Sequence, residues 1–503
     1  MKVFLMYRDR DFELKKELPW NQEALFQDLE LGTLLKTMAQ DDEFLYQVSK
    51  EAVFTSLNDR ESILYRQEIL KDCMANPDVV RQLYTLSVQA QEAPKGHYWG
   101  TFVHFPNAIL DSSVEVMSVL MDILKSIRAV GDTHSGAFVS GGFQRFWEMI
   151  REELSDDYFE TVRQHLKDLK FNGGVLISAE LTEGNKGTDY VLRKSAQTKQ
   201  RWLERLFGTN APAFSFYITD RDESGMRALS EIRDEGINLA ANALSQSTEH
   251  VLSFFEMLRT ELAFYIGCIN LSEQLQHIGE PLAYPDPTDT GERYHCFQNL
   301  YDVCLALTKK ESIIGNNLNC NDKSLILITG ANQGGKSTLF LRSIGLAQLM
   351  MQCGMFVPAE SFQAGICTGL YTHYRREEDS TLESGKLDEE LGRMSEIVDH
   401  LSPNALILFN ESFAATNERE GSEIARQIVR ALLERQMKLF FVTHLYEFAH
   451  DLFVHKTSQM IFLRAERQDD GQRTFQLAEG EPLKTSFGED LYEKIFCESK
   501  QGG

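Results

Sequence analysis

Apolar residues recur at helical spacing through most of the first 300 positions, and then give way to short unbroken apolar runs. Val116, Val119, Leu120, Ile123, Leu124 and Ile127 fall at i, i+3 and i+4 intervals, the spacing that turns one stripe of a helix into a core. From about Asn21 to Pro94 the pattern is also helical, with polar breaks at Ser56-Leu57-Asn58-Asp59 and Asn76-Pro77. Between Gly173 and Asp220 it turns strand-like, in 174–178, 190–193 and 214–218, with turns at Gly184 and Gly187. Helical periodicity resumes from Met226 to about Ile278, and a proline-rich break from Pro281 to Pro287 follows. Beyond it, strand-like and helical runs alternate, as a mostly parallel α/β sheet requires. There is no internal repeat and no low-complexity tail.

One strand-to-helix junction carries chemistry. The run Leu325-Ile326-Leu327-Ile328 is followed by Gly330-Ala331-Asn332-Gln333-Gly334-Gly335-Lys336-Ser337-Thr338 and then by the helix-like 339–347. A strand, a glycine-rich turn ending in Lys-Ser and a helix form a P-loop, which cradles phosphates with backbone N–H groups. The helix N-terminus adds partial positive charge at that point. Lys336 reaches the β- and γ-phosphates, and the Ser337 hydroxyl serves a Mg²⁺ ion. The expected ligands are therefore ATP and Mg²⁺. A second apolar run, Ala405-Leu406-Ile407-Leu408-Phe409, ends in Asn410-Glu411, where a P-loop ATPase keeps its metal and water-handling groups. Asn410 stands where Asp is usual, and its uncharged amide is a weaker partner for a hard cation. Glu411 is a candidate general base. A third run, Lys438 to Val442, ends at Thr443-His444, and a strand-end His is either a structural hydrogen-bonding group or a phosphate sensor.

Composition narrows the class. At 503 residues the chain exceeds one core, and 43% hydrophobic with 25% charged residues is ordinary for a globular protein. No apolar run is long enough for a membrane span, and Met1 to Lys16 turns charged at Arg8, so neither membrane nor secretory leader is expected. Eight scattered cysteines without a CxxC pair suit reduced thiols and a cytoplasmic location. A net charge of −24 opposes broad coating of nucleic acid, so any DNA contact needs a local basic patch. Arg193, Lys194, Lys199, Arg201 and Arg205, with Trp202 among them, form one such cluster, for which composition alone favours a solvated helix face.

These motifs together resemble the MutS family of DNA mismatch-repair ATPases. Thr329 to Thr338 is similar to the family's TGPNMGGKST. Gly354-Met355-Phe356-Val357-Pro358-Ala359 matches its GxxVPA, and Asn410 to Gly421 aligns without gaps to its DE-x-GRGTST-x-DG. Thr443-His444 matches ATH, and Lys484 to Gly488 resembles KSYG. Asn316 matches the family's base-side Asn, while Ile313 replaces its stacking Phe. Counting back from Asn410 places the family's signature serine on Ser384, which implies a contact to the γ-phosphate held by a partner subunit; a helix-start Ser is also an ordinary N-cap. Upstream, Leu64-Tyr65-Arg66-Gln67 through Asn76-Pro77 is similar to the family's RQ…NP segment.

The resemblance implies a multidomain protein: a mainly α-helical core and lever module over 1–300 with a small clamp-like β insertion at 173–220, then an α/β P-loop, ABC-like ATPase domain over 301–503. It implies a dimeric, DNA-dependent ATP hydrolase with Lys336, Glu411 and His444 in catalysis. Gly330 to Thr338, Asn316 and Ser384 would contact nucleotide, and Ser337 and Asn410 would hold metal. The partners implied are ATP or ADP, double-stranded or branched DNA, and a second copy of the chain through the ATPase domains. The chain reads as a stand-alone member without the mismatch-recognition domain; Phe254-Phe255-Glu256 fits the reader string but lies within a periodic helix. The alternative function is a nucleotide-switched scaffold that engages a protein partner without DNA.

Overall fold

The computed structural model describes residues 1–14, 17–96, 105–172, 174–184, 186–193, 217–219, 221–329, 336–376, 385–467 and 473–483. The chain packs as two units, one of residues 1–3, 81–136 and 144–259, the other of 4–80, 137–143 and 260–503. Residues 4–80 and 260–300, grouped by the sequence reading with the helical module, thus pack with residues 301–503.

The first unit is mainly helical. In the helix Pro106–His134, Val116, Leu120, Ile123, Leu124 and Ile127 are buried, as their spacing predicts. Val119 is not: at about 60° to one side of Val116 on a 100°-per-residue wheel, it lies at the rim of the stripe and is 38% exposed. Gly131 lets the same helix approach Trp147, because a Cβ there would stand 2.9 Å from the indole. The strand-like segment forms a hairpin of β1 (Leu176–Leu181) and β2 (Gly187–Arg193), paired antiparallel across a turn in which Gly184 has φ +81°. The third expected strand, 214–218, falls largely outside the described residues, and Tyr217 and Ile218 are not in a strand. Helical structure resumes as one helix, Glu223–Ile278, in which Phe254 and Phe255 are buried.

The second unit contains two sheets. The smaller has the order β3 (Asp286–Thr288), β7 (Ser361–Gly365), β4 (His295–Leu300), β5 (Asn316–Asn319). The larger runs β12 (Arg473–Glu479), β11 (Met460–Arg467), β6 (Leu325–Thr329), β10 (Lys438–Thr443), β9 (Leu406–Asn410), β8 (Leu370–Tyr374). Its strands are parallel except β12, which closes one edge antiparallel. Both faces of the sheet are covered, so its strands read as continuous apolar runs. On one face Leu325, Leu327, Ile407, Phe409, Leu439 and Phe441 pack on Val429 and Phe448 of the helices Glu418–Glu434 and Tyr446–Val454. On the other lies the helix Lys336–Gln352, where Gly345 sits so close that a Cβ would meet Leu408 at 2.9 Å.

That helix ends in a Schellman turn: Met355 N–H donates to Met350 O at 2.8 Å and Gly354 N–H to Met351 O at 3.0 Å, with Gly354 at φ +80°. Arg66, fully buried, donates to the Cys353 carbonyl at 3.0 Å and to Met6 O at 3.2 Å. The N-terminal segment is gripped from the middle of the chain. The Glu261 carboxylate accepts from the N–H groups of Leu5 (2.6 Å), Met6 (3.1 Å) and Phe12 (3.0 Å). Burial raises its pKa to about 7 against these donors, which pull it down. Among the described residues the seven cysteines form no disulfide, and no helix is long and apolar enough to cross a membrane.

Candidate nucleotide site

In a parallel sheet every strand delivers its following loop to one edge, and register decides which loops meet there. Thr329, which ends β6, lies opposite Thr443 of β10 and Arg464 of β11. Val442 lies opposite both Ile328 and Asn410, and Asn410 lies opposite Tyr374 of β8. The three motif strands therefore end level and side by side in the order β6, β10, β9. Gly330 to Gly335, the loop that joins β6 to the helix starting at Lys336, lie outside the described residues, as does Ser384; of Lys336, Ser337 and Thr338 the backbone alone is described.

Glu411 is fixed by its backbone. Its N–H donates to Val442 O at 2.9 Å, which ties the end of β9 to β10 at the level of Thr443. Glu411 has φ +53° and Phe413 φ +63°, left-handed conformations that cost a side-chain-bearing residue free energy. Phe413 stands where the resembled motif has glycine. Its ring is fully buried and stacks on His373 at 5.2 Å, so core packing holds the turn that aims Glu411. Gly421 completes the arrangement, because a Cβ at that position would meet the Phe413 carbonyl oxygen at 2.3 Å.

His373 lies beneath this turn, with Nδ1 2.7 Å from Ser412 Oγ and Nε2 3.0 Å from the Glu390 carbonyl. Burial lowers its pKa to about 4, so the ring is neutral; Nε2 carries the hydrogen toward the Glu390 carbonyl, and Nδ1 is an acceptor beside Ser412 Oγ, whose hydroxyl also donates to the His373 carbonyl at 2.5 Å. The Glu390 carboxyl is raised by burial, while the N–H groups of Ala415 and Phe413 and the charge of Arg393 pull it down. Glu390 thus joins the loop after β9 to the helix Lys386–His400, whose start adjoins Ser384. Sequence reading of this segment singled out Ser384 and missed Glu390. The available signal was its place, with Met394 and Ile397, on the buried stripe of that helix.

The loop's far end is a helix cap: Asn417 Oδ1 accepts from Glu420 N–H at 3.0 Å. Glu418 accepts from Tyr446 N–H at 3.1 Å and Glu447 N–H at 3.4 Å, which ties this loop to the one carrying His444. His444 itself is exposed, in a turn closed by Leu445 N–H donating to Thr443 Oγ1 at 3.0 Å. Asn316, at the start of β5, accepts from Leu477 N–H at 3.0 Å through its Oδ1. Ile313 N–H donates to Glu280 at 2.5 Å, and Ile314 is exposed. Of the basic cluster, exposed Arg193 donates to Ser178 Oγ at 2.9 Å across the hairpin; Lys194, Lys199, Arg201 and Arg205 lie outside the described residues. Among the described residues no group of three or more His, Cys, Asp and Glu forms a metal cage.

Residues 58–278 match the MutS2 N-terminal domain family and residues 326–496 match MutS domain V. The chain is a MutS family protein. It is 24% identical over 402 residues to the DNA mismatch repair protein MutS of Streptococcus mutans, covering 76% of this chain and 46% of that one. It is 26% identical over 270 residues to human MutS protein homolog 4, covering 52% and 28% respectively. A MutS of Clostridium botulinum is 34% identical over 143 residues, or 27% and 15%. This MutS family protein thus spans less than half the length of these relatives. The domain V match takes in β9, β10, all of β6 but Leu325, and the helix between β6 and β7, while Asn316 and Arg193 lie outside it.

Proposed function

We propose that this protein binds and hydrolyses ATP at the β6–β10–β9 edge, as a P-loop ATPase of the ABC-like type, and uses nucleotide-driven pairing of two ATPase domains to clamp DNA. The observation that supports this best is the level ending of Thr329, Asn410 and Thr443 on adjacent strands, which sets the start of the P-loop beside Glu411 and His444. Lys336 and the amides of 330–338 hold the phosphates, and Asn316 meets the base through its amide nitrogen. The donor set fits a Mg²⁺ ion weakly: Ser337 and the Asn410 carbonyl supply oxygens without charge. When bound, Mg²⁺ would neutralise part of the negative charge of the phosphates. Glu411 takes a proton from water as its oxygen attacks the γ-phosphorus; the bond to the bridging oxygen breaks and ADP leaves with the electron pair. His444 donates toward the γ-phosphate. Ser384 of a second copy completes the site, so loss of the γ-phosphate loosens the pair. The helical module, with the hairpin and the basic run from Arg193 to Arg205, carries the DNA contact, in repair or recombination and not restricted to mismatches.

ATP turnover measured without DNA and with duplex, mismatched and branched oligonucleotides tests this reading. Stimulation by any of them is expected, and it should fall as salt rises. A flat response with intact turnover would favour the nucleotide-switched scaffold, toward which the net charge of −24 points.

A further inference from the structure

Three arginines stand at or near the end of β8, and two of them are committed to fold contacts. Arg376 donates to buried Asp28 at 2.6 Å, and Arg393 to the Tyr374 carbonyl at 3.0 Å. Arg375 has a different position. Its backbone N–H donates to Asn410 O at 3.0 Å, which fixes its Cα beside the strand end that carries Asn410 and Glu411. Its side chain, 49% exposed, brings Nη1 to 3.9 Å from Glu411 Oε2. At that separation charge holds the carboxylate, without the direct fork geometry that arginine and carboxylate can adopt. A half-exposed pair of this kind is weak and open to competition. A terminal phosphate is the competitor the site would supply, since guanidinium binds phosphate oxygens in pairs. The need for a cation is also specific to this chain: with Asn410 in an acid's place, the metal position lacks one negative charge.

We propose that Arg375 passes between Glu411 and the terminal phosphate of a bound nucleoside triphosphate. On the phosphate it supplies part of the positive charge that an all-acid metal site would draw from Mg²⁺. Its departure leaves the Glu411 carboxylate to accept the proton of the attacking water. The proposal rests on the nucleotide reading above. It predicts triphosphate recognition that survives removal of magnesium and depends on one side chain outside every nucleotide motif of the sequence.

The test is equilibrium binding of ATP and of ADP to the full chain, to Arg375→Ala and to Arg375→Lys, in Mg²⁺ and in excess EDTA, with Lys336→Ala as reference. In EDTA the wild-type chain should favour ATP over ADP. Arg375→Ala should lose about tenfold in ATP affinity with ADP affinity unchanged, the size of one partly screened charged hydrogen bond. Arg375→Lys should recover part of that loss, because it restores charge without the fork. In Mg²⁺ the same substitution should cost less. An ATP-to-ADP ratio unchanged in Arg375→Ala, with nucleotide still bound, overturns the role of Arg375 alone. A wild-type chain that binds neither nucleotide, or binds them regardless of Lys336, overturns the nucleotide reading and this proposal with it.

Discussion

Phe413 makes a prediction opposite to the usual order of two substitutions. The residue holds φ +63° with its ring fully buried, stacked on His373 at 5.2 Å and 6.2 Å from Phe409. Phe413→Ala removes the ring and keeps the strained backbone, so the loss is the ordinary ~3–5 kcal/mol of a buried phenylalanine. Phe413→Gly loses the same packing but relieves the left-handed cost, ~1–2 kcal/mol. Against that relief stands the extra chain entropy of glycine, ~0.5–1 kcal/mol. The glycine variant should therefore be more stable than the alanine variant, by up to ~1.5 kcal/mol, where most positions show the reverse. Phe409 is the internal control: it contributes to the same cluster from within β9, and there glycine should be the worse choice. Urea unfolding of the four variants, followed by circular dichroism and compared at unchanged m, gives the order directly. Alanine equal to or above glycine at 413 would refute the claim that packing holds a strained turn beneath Glu411.

Two other outcomes follow from the same contacts. The Glu261 carboxyl, raised from 4.5 to about 7 in the fold, binds protons more readily folded than unfolded, so its stabilising share is present below about pH 4.5 and is lost as pH rises through 7. By neutral pH the loss reaches ~3 kcal/mol, and Glu261→Gln should flatten that slope; urea midpoints from pH 4.5 to 7.5 that fall equally in both proteins would reject the assignment. Asn410→Asp adds a charged oxygen at the proposed Mg²⁺ position, so ATP turnover should reach half-maximum at several-fold lower Mg²⁺, and a superimposable Mg²⁺ titration would place Asn410 away from the metal.

What could be read from sequence follows the range of the forces involved. Strands buried on both faces read as continuous apolar runs, so Leu325 to Ile328, Leu406 to Phe409 and Leu439 to Val442 were legible. So were the long helix after residue 222 and the breaks at 56–59 and 76–77, because capping and periodicity are local. Val119 misled because spacing alone does not separate the middle of a stripe from its rim. The grip of Glu261 on Leu5 joins residues 256 positions apart and leaves no periodic trace. Gap-free alignment of 410–421 located the loop but not its two left-handed residues, since neither Glu nor Phe advertises a positive φ. Arg375 and Glu390 escaped for a related reason: each acts through a neighbour on another strand or helix, and sheet order is not written in the chain.

The central claim, an ATP site at the β6–β10–β9 edge, is tested most directly by calorimetric titration of ATP into the full chain and into Lys336→Ala with saturating Mg²⁺. The account predicts one ATP per wild-type chain and at least about a tenfold weakening in Lys336→Ala, with unchanged circular dichroism, because the substitution deletes a charged phosphate contact and leaves the core intact. Equal affinity in the two proteins, or no heat of binding in either, would contradict it.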